Sequence, residues 1–176
     1  MGIKDKKVLM VIARQDFRDE EYKYPREILE SAGVKISVAC SDINIAQGTY
    51  GLTVQPNILF TDAKAKDYDG IIFIGGKGSS EYFDNQKAHS IAKEIFRKGK
   101  LVCAICIAPN TLAQSGILKG KKVTAYPTVK DDLIQQGAIY TGMDVEIDGN
   151  VITANGPQAA KRFGETILEK LIEDLP

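Results

Sequence analysis

The chain has 176 residues, enough for one domain with a full-sized hydrophobic core. Lysine and arginine together number 23, as do aspartate and glutamate, so no net charge attracts nucleic acid or an anionic membrane surface. No apolar run approaches the roughly 18 residues of a membrane span, and the first one leads into Arg14 without the cleavage site of a signal peptide. An odd number of cysteines, three, in a chain too large to need disulfides favours reduced thiols. We expect a single cytoplasmic domain over residues 1–176 with no nucleic-acid or membrane partner.

The first third of the chain predicts a strand, a helix and a second strand. Residues 7–13 continue after Lys7 as an unbroken apolar run, as in a parallel strand buried on both faces, and residues 34–40 are read as a second strand. The helix between them contains Pro25, which lacks the N–H that a helix interior uses, so we expect this helix to begin near Glu21 or Tyr22. Residues 42–57, with their glycines and alternating apolar positions, indicate a β-excursion.

The rest of the chain continues the alternation of strands and helices. Further strands are predicted at residues 69–74, 101–105, 121–125, 139–140, 145–147 and 151–153. Helices are predicted around the apolar positions between Ala88 and Phe96, at 107–118 and 129–136, and at the C-terminus. The last two strands flank Asp148-Gly149-Asn150, a hairpin signal. This order predicts an α/β fold, a three-layer sandwich around a mostly parallel sheet.

Cys106 lies where a strand pattern changes directly into a helix pattern. This position is that of a nucleophile elbow, with cysteine in place of serine. The positive end of the following helix favours the thiolate, the form that attacks carbonyls or peroxide. A buried structural cysteine at a strand end is the alternative, and the residues expected nearby argue against it.

Two other strand ends are expected to reach the same edge of the sheet, where ligands bind in such folds. Gly75 and Gly76 follow one strand, and the missing Cβ atoms allow backbone N–H groups to approach a ligand. We expect an oxyanion to lie between the N–H of Gly76 and that of Ile107, the residue after the nucleophile. A simple turn at the two glycines is the alternative.

The first strand is followed by the acidic residues Asp16, Asp19, Glu20 and Glu21. A carboxyl beside a thiol resists ionising together with it, so the pair shares one proton, and a protonated acid then donates to the thiolate. Glu21 is our candidate because the helix begins there, with Glu20 as the alternative. A solvated acidic helix start is the structural reading of the same residues.

The other cysteines are not expected to take part in the chemistry. In an extended strand, Cys103 and Cys106 have α-carbons about 10 Å apart and side chains on opposite faces, beyond disulfide reach. We expect Cys103 to be a core residue and Cys40, at a strand end, to be partly exposed and a secondary oxidation site. No cluster of histidine and cysteine suggests zinc, and no metal is predicted.

Five segments form one combination of motifs: residues 17–25, Gly75-Gly76, residues 104–106, Tyr126-Pro127 and residues 130–132. With these motifs the chain resembles the PfpI/ThiJ superfamily of intracellular proteases and deglycases, which has a class I glutamine-amidotransferase-like fold. The resemblance extends over about residues 7–171. It implies a flavodoxin-like sandwich, a homodimer or larger homo-oligomer, Cys106 as nucleophile and Glu21 as its carboxyl partner.

The sequence departs from the pattern of this superfamily at three places. Protease-type members have a histidine directly after the cysteine, where this chain has Ile107. Deglycase-like members have a histidine where it has Tyr126, and an arginine near the pocket where it has Asn155-Gly156-Pro157. Tyr126 remains able to donate a hydrogen bond to a substrate, but its phenol is a poor base at neutral pH. The only histidine, His89, falls in a helix pattern and is expected at the surface.

Three functions are consistent with these residues. The first is a cysteine-dependent enzyme acting on small reactive carbonyls or their protein adducts without a cofactor, for which a peptidase with an incomplete triad is a variant. The second is a non-enzymatic oxidative-stress sensor or chaperone in which Cys106 is oxidised. The third is a scaffold with a vestigial elbow. The first predicts loss of methylglyoxal consumption in Cys106→Ser, and the second predicts that Cys106 is oxidised before Cys40 and Cys103.

Overall fold

The structure, a computed structural model, describes residues 1–176 and contains twelve strands and five α-helices. The strands are β1 (Lys7–Ile12), β2 (Gln15–Phe17), β3 (Lys35–Cys40), β4 (Ala46–Gly48), β5 (Thr53–Val54), β6 (Ile58–Leu59), β7 (Gly70–Phe73), β8 (Leu101–Ile105), β9 (Lys122–Val123), β10 (Ile139–Tyr140), β11 (Val145–Asp148) and β12 (Val151–Ala154). The helices are α1 (Asp19–Ser31), α2 (Gln86–Arg97), α3 (Pro109–Ser115), α4 (Lys130–Gln135) and α5 (Ala160–Glu173). None of the helices combines the length and the hydropathy needed to cross a membrane.

The main sheet has seven strands in the order β11-β12-β8-β7-β1-β3-β6. Every neighbouring pair is parallel except β11 and β12, which form the predicted antiparallel hairpin. The chain leaves β1 toward β3 on one side and later continues from β7 to β8 on the other. The direction of winding therefore reverses beside β1, and such a reversal opens a crevice at the carboxyl ends of the strands.

The sheet is covered on both faces, which confirms the predicted α/β sandwich. Along β1, Leu9 and Val11 pack into the core beneath α2 and α3, whereas Val8, Met10 and Ile12 pack beneath α1 and α5. Successive side chains of a strand point to opposite faces, so a strand that is apolar at five consecutive positions after Lys7 fits only between two helical layers. A small separate sheet, β2-β4-β5, contains the two strands β4 and β5 of the predicted β-excursion.

Two predicted helix boundaries are wrong. Helix α1 begins at Asp19, so Pro25 lies inside it rather than in its first turn. The helix loses one backbone hydrogen bond there, and its burial against β1 and α5 outweighs that loss. The helix after Cys106 is shorter than the predicted 107–118: a turn follows Cys106, and α3 begins at Pro109 and ends before Gly116, whose left-handed backbone stops it.

Candidate active site

The loops after β1, β7 and β8 meet at one edge of the sheet and surround an open cleft of about 660 Å³. Cys106 and Ile107 form part of its floor, as does Gly76. The cleft is lined by Arg18, Thr49, Gly76, Lys77, Cys106, Ile107, Tyr126, Pro127, Thr128, Asn155, Gly156, Pro157 and Gln158. The position agrees with the general rule for open parallel sheets, and three of the predicted strand ends contribute to it.

Cys106 has a left-handed backbone, with a φ of 64°. A side chain other than glycine adopts this conformation only when its surroundings hold it. Here the N–H of Cys106 donates to the carbonyl of Ala154 at 2.9 Å, and its carbonyl accepts from the N–H of Tyr126 at 2.8 Å. The thiol is thus carried on a strained, clamped turn and remains partly exposed, as the elbow interpretation predicts.

The turn also decides which layer the thiol contacts. Cys103 is fully buried beneath α1 and α5, and the partly buried Cys106 packs against the same cluster. The prediction that the two side chains point to opposite faces is therefore wrong, because the left-handed residue ends the alternation of the strand. Both cysteines, and Cys40, are free thiols.

Two backbone donors lie beside the sulfur. The N–H groups of Gly76 and Ile107 face the Cys106 thiol and lower its pKa. Neither N–H donates to a backbone acceptor elsewhere. They are the two groups predicted to stabilise an oxyanion, and the structure places both at the nucleophile.

Both glycines after β7 are required by close packing. A Cβ atom on Gly75 would lie 2.6 Å from the Cβ of Cys106 and would also strike the carboxyl of Glu21. Gly76 has a φ of 98°, and a Cβ atom there would collide with the backbone of residues 16–18. The N–H of Arg18 donates to the carbonyl of Gly75 at 2.9 Å, which ties the start of α1 to this turn. The alternative of a simple turn does not explain why both glycines are packed too closely to carry a Cβ atom.

Glu21 reaches the thiol from the first turn of α1. Its side chain is completely buried, and neither carboxyl oxygen makes a hydrogen bond of ordinary geometry. The polar groups that face it are the Cys106 thiol and the Gly75 backbone. Burial raises the pKa of Glu21 from 4.5 to about 8, so the acid is protonated at neutral pH. The alternative, Glu20, instead pairs with Arg18 at 2.8 Å.

The thiol is not activated in the way the sequence predicted. Burial is the largest influence on Cys106 and, with the neighbouring Glu21 carboxylate, raises its pKa from 9.0 to about 12. The expectation that the helix end favours the thiolate is wrong for the isolated thiol, because burial outweighs the two backbone donors. Repulsion by Glu21 acts only when that carboxyl is ionised, so the two groups titrate as a pair.

Asp19 has a structural role that the sequence did not reveal. Its carboxylate accepts from the N–H groups of Tyr50 at 3.0 Å and Leu52 at 2.9 Å. The N–H of Thr49 donates to the carbonyl of Phe17 at 2.9 Å beside it. The loop after β4, which supplies Thr49 to the cleft, is therefore fastened to the turn of α1 that carries Glu21.

The remaining predicted residues fall in different places. Tyr126 lines the cleft with 44% of its surface exposed. His89 does not line the cleft, and its Nε2 lies 2.8 Å from the carbonyl oxygen of Phe83. Cys40, predicted to be partly exposed, is completely buried at the end of β3, because β1 and β6 flank it. Arg18 and Lys77, which the sequence analysis did not single out, line the cleft. Nowhere in the structure do three His, Cys, Asp or Glu side chains converge as metal ligands do.

The fold and this site define a class of α/β proteins with a cysteine at a nucleophile elbow and a buried carboxyl beside it. The chain belongs to the DJ-1/PfpI family, whose sequence profile matches residues 6–170. This membership agrees with the resemblance seen in the sequence motifs.

Individual relatives extend over nearly the whole chain. An uncharacterised protein of Methanocaldococcus jannaschii is 42% identical over 173 residues, which cover 97% of this chain and 84% of that protein. A deglycase of Pyrococcus abyssi is 32% identical over 85% of this chain and 90% of that protein. A glutathione-independent glyoxalase of Caenorhabditis elegans is 30% identical over 94% of this chain and 89% of that protein. The crystal structure of a ThiJ/PfpI domain protein from Brachyspira murdochii matches with a TM-score of 0.92 at 30% identity, and the match covers 97% of this chain and 98% of that one.

Proposed function

We propose that this protein is a cysteine-dependent enzyme that converts 2-oxoaldehydes, or their adducts with amines, by way of a covalent bond to Cys106. The observation that carries the proposal is the pair of buried groups at the elbow: a carboxyl with a pKa of about 8 faces the thiol, and two unused N–H donors face the same sulfur. Relatives named deglycase and glyoxalase support the same class of reaction.

The reactive form of the pair holds one proton. Because the pKa of Glu21, about 8, lies below that of Cys106, about 12, the first proton to leave is that of Glu21, and the resulting carboxylate takes the thiol proton as the sulfur attacks. With a pKa of about 8 for Glu21, roughly a tenth of the protein holds a single proton at pH 7. This fraction increases as the pH rises toward 8.

The bonds change in three steps. The sulfur bonds to the aldehyde carbon, the N–H groups of Gly76 and Ile107 stabilise the oxyanion, and Glu21 gives it a proton to form a hemithioacetal. The Glu21 carboxylate then moves the proton of that carbon to its neighbour, and the hydroxyl proton passes to the neighbouring oxygen. The first carbon is thereby oxidised to a thioester while the second is reduced to an alcohol.

Water completes the cycle. It adds to the thioester and gives one proton to the Glu21 carboxylate, the carbon–sulfur bond breaks with the electron pair returning to the sulfur, and the 2-hydroxy acid leaves with the other proton of the water. On an adduct of the aldehyde with an amine, the sulfur first displaces the amine and the same steps follow. The residues supply every proton transfer, so the scheme requires neither an oxidant nor a reductant.

A peptidase reaction is less well supported by this site. An amide leaving group must be protonated by an acid that faces it, and in a cysteine–histidine pair the imidazolium does this. Ile107 follows the nucleophile here, and His89 lies outside the cleft. Glu21 is the single titratable side chain that faces the sulfur, and it lies in the core rather than toward the bulk of the cleft.

The test is consumption of methylglyoxal without glutathione, followed as formation of lactate. Wild-type protein is expected to turn over, with kcat/KM rising with pH and levelling off above about 8. Cys106→Ser should abolish the activity and Glu21→Gln should reduce it at least about a hundredfold, which is the usual contribution of general acid–base catalysis. Cys103→Ser is the matched control, since that thiol is buried away from the cleft. Equal rates in wild type and Cys106→Ser would refute the proposal for this substrate.

An oxidative sensor is the second candidate, favoured by the fact that Cys106 is the one cysteine with exposed surface. In this case peroxide should add two oxygens to Cys106 before Cys40 or Cys103 react, as measured by peptide mass spectrometry. Earlier oxidation of Cys40 would exclude this role.

A further inference from the structure

The walls of the cleft carry positive charge and no carboxylate. Arg18 and Lys77 are its only charged side chains, and no aspartate or glutamate is among the lining residues. Besides Cys106, the neutral lining residues are hydroxyl and amide side chains, glycines, prolines and one isoleucine. Because the whole chain has no net charge, this local excess is a property of the cleft rather than of the protein.

Lys77 is available to bind a ligand. It takes part in none of the nine ion pairs of the molecule and its side chain is exposed. Asp16 and Glu81 lie with Lys77 along the adjoining groove, and neither forms an ion pair with it. Lys77 directly follows Gly76, whose N–H faces the sulfur, so its backbone is fixed next to the reacting centre.

Arg18 is positioned on the neighbouring wall. Its guanidinium pairs with Glu20 at 2.8 Å and lies 4.8 Å from the centre of the Tyr50 ring. Its backbone N–H is bonded to the carbonyl of Gly75, the residue beside the nucleophile. The ion pair with Glu20 partly neutralises the Arg18 guanidinium and fixes its orientation. Lys77 therefore contributes the positive charge that no ion pair compensates.

The cleft is also larger than a small aldehyde requires. A 2-oxoaldehyde of three carbons occupies on the order of 100 Å³ at about 30 Å³ per water-sized group. The cleft volume is about 660 Å³, within the range of sites for larger ligands. A substrate of matching size therefore extends away from the carbon that the sulfur attacks.

We infer that the cleft selects carbonyl substrates that carry an anionic group, a carboxylate or a phosphate, on the part remote from the reacting carbon, and that Lys77 recognises this charge with help from Arg18. The inference rests on the proposed function for the chemistry and adds the class of substrate. Lys77 acts in specificity rather than in bond making, because the steps at the sulfur use other groups.

The test compares two 2-oxoaldehydes that differ by one charge, phenylglyoxal and 4-carboxyphenylglyoxal. Initial rates are measured before arginine modification becomes significant, and the ratio of kcat/KM for the anionic to the neutral substrate is determined. Wild type should prefer the anionic compound, and the preference should decline between about 0.02 and 0.5 M salt, because exposed charges are screened.

The matched variants are Lys77→Gln and Lys66→Gln. The two lysines lie at opposite ends of β7, Lys66 before it and Lys77 after it, and both are exposed. Lys77→Gln should lower the ratio about fivefold, the upper end for an exposed ion pair, with little effect on phenylglyoxal itself. Lys66→Gln makes the same change in net charge and should leave the ratio as in wild type.

The outcomes separate the inference from the proposed function. Turnover of both compounds with equal ratios in wild type and Lys77→Gln would overturn the inference and leave the proposed function standing. If neither these compounds nor methylglyoxal is turned over, the proposed function fails; whenever the two arylglyoxals are not turned over, binding of 4-acetylbenzoate against acetophenone, measured by ligand-observed NMR, decides the inference. Preferential binding of the anion that Lys77→Gln abolishes supports it, and equal binding overturns it.

Discussion

Replacing Glu21 with glutamine is expected to stabilise the folded protein at neutral pH while it removes the group proposed to move the proton. Glu21 has no exposed surface, and neither carboxyl oxygen has a hydrogen-bond partner of ordinary geometry. Burial raises its pKa from 4.5 to about 8. At neutral pH the unfolded chain releases this proton and the folded protein keeps it, and the difference works against folding.

The magnitude follows from these pKa values. Because the pKa of Glu21 is raised on folding, the full stability is present below about pH 4.5 and is lost progressively as the pH rises through about 8. Between pH 4.5 and pH 7 the loss extends over about 2.5 pH units at about 1.36 kcal/mol each, or about 3 kcal/mol. Glutamine has a similar shape and does not titrate, so the variant does not suffer this loss.

The assay is urea denaturation of wild type and Glu21→Gln at several pH values from about 4.5 to 7. The difference in the free energy of unfolding should increase by about 3 kcal/mol in favour of the variant over this range. The constant cost of exchanging a protonated carboxyl for an amide cancels in this comparison. Glu20→Gln, at the adjacent and partly exposed residue, is the control, and its difference from wild type should vary by less than about 1 kcal/mol.

A difference that does not change with pH would refute the reasoning. It would mean that the Glu21 carboxyl is either solvated or ionised in the folded state, so that no proton is retained. A wild type that gains relative stability as the pH rises would be a stronger contradiction, since it would require the pKa of Glu21 to be lowered on folding.

Two further predictions concern the packing around α1. Gly164→Ala places a Cβ atom 2.8 Å from the Cα of Pro25, so α5 must move away from α1. Thermal denaturation should show that the free energy of unfolding falls by about 1–3 kcal/mol. The control Glu165→Ala, at an exposed residue, should change it by less than about 0.5 kcal/mol. A loss no larger than that of Glu165→Ala would contradict this close approach. Asp19→Asn replaces one of the two acceptor oxygens with an NH2 donor, so at least one of the Tyr50 and Leu52 amides loses its acceptor and should exchange hydrogen faster. Asp16→Asn is the exposed control, and unchanged exchange at both amides would mean that the carboxylate does not hold the loop.

Several features of the fold could be predicted from the sequence because they depend on neighbouring residues. After the exposed Lys7, the runs that form β1 and β8 are apolar at every position, which only a sheet covered on both faces accommodates, and the structure confirms this. The hairpin around Gly149 was predicted from its turn residues. The same local reasoning failed at Pro25, where contacts between α1 and α5 compensate for the missing N–H.

The position of Cys106 between a strand and a helix could also be predicted, but its environment could not. Glu20 and Glu21 are adjacent in sequence and chemically the same, and only the docking of α1 on the sheet turns one toward the thiol and the other toward Arg18. The pKa of the Cys106 thiol is raised by burial rather than lowered by the helix N-terminus, and burial depends on how the elements pack together.

The sequence by itself determined the order of the elements, the two-sided sheet and the residue at its sharpest turn, since periodicity and turn chemistry are properties of consecutive residues. The tertiary structure alone decided that Glu21 is kept protonated in the core, that Cys40 is buried, and that Lys77 and Arg18 face the same cleft. These results depend on which distant segments exclude water from one another, and solvent exclusion sets both the free energy of a charge and the groups that can reach it.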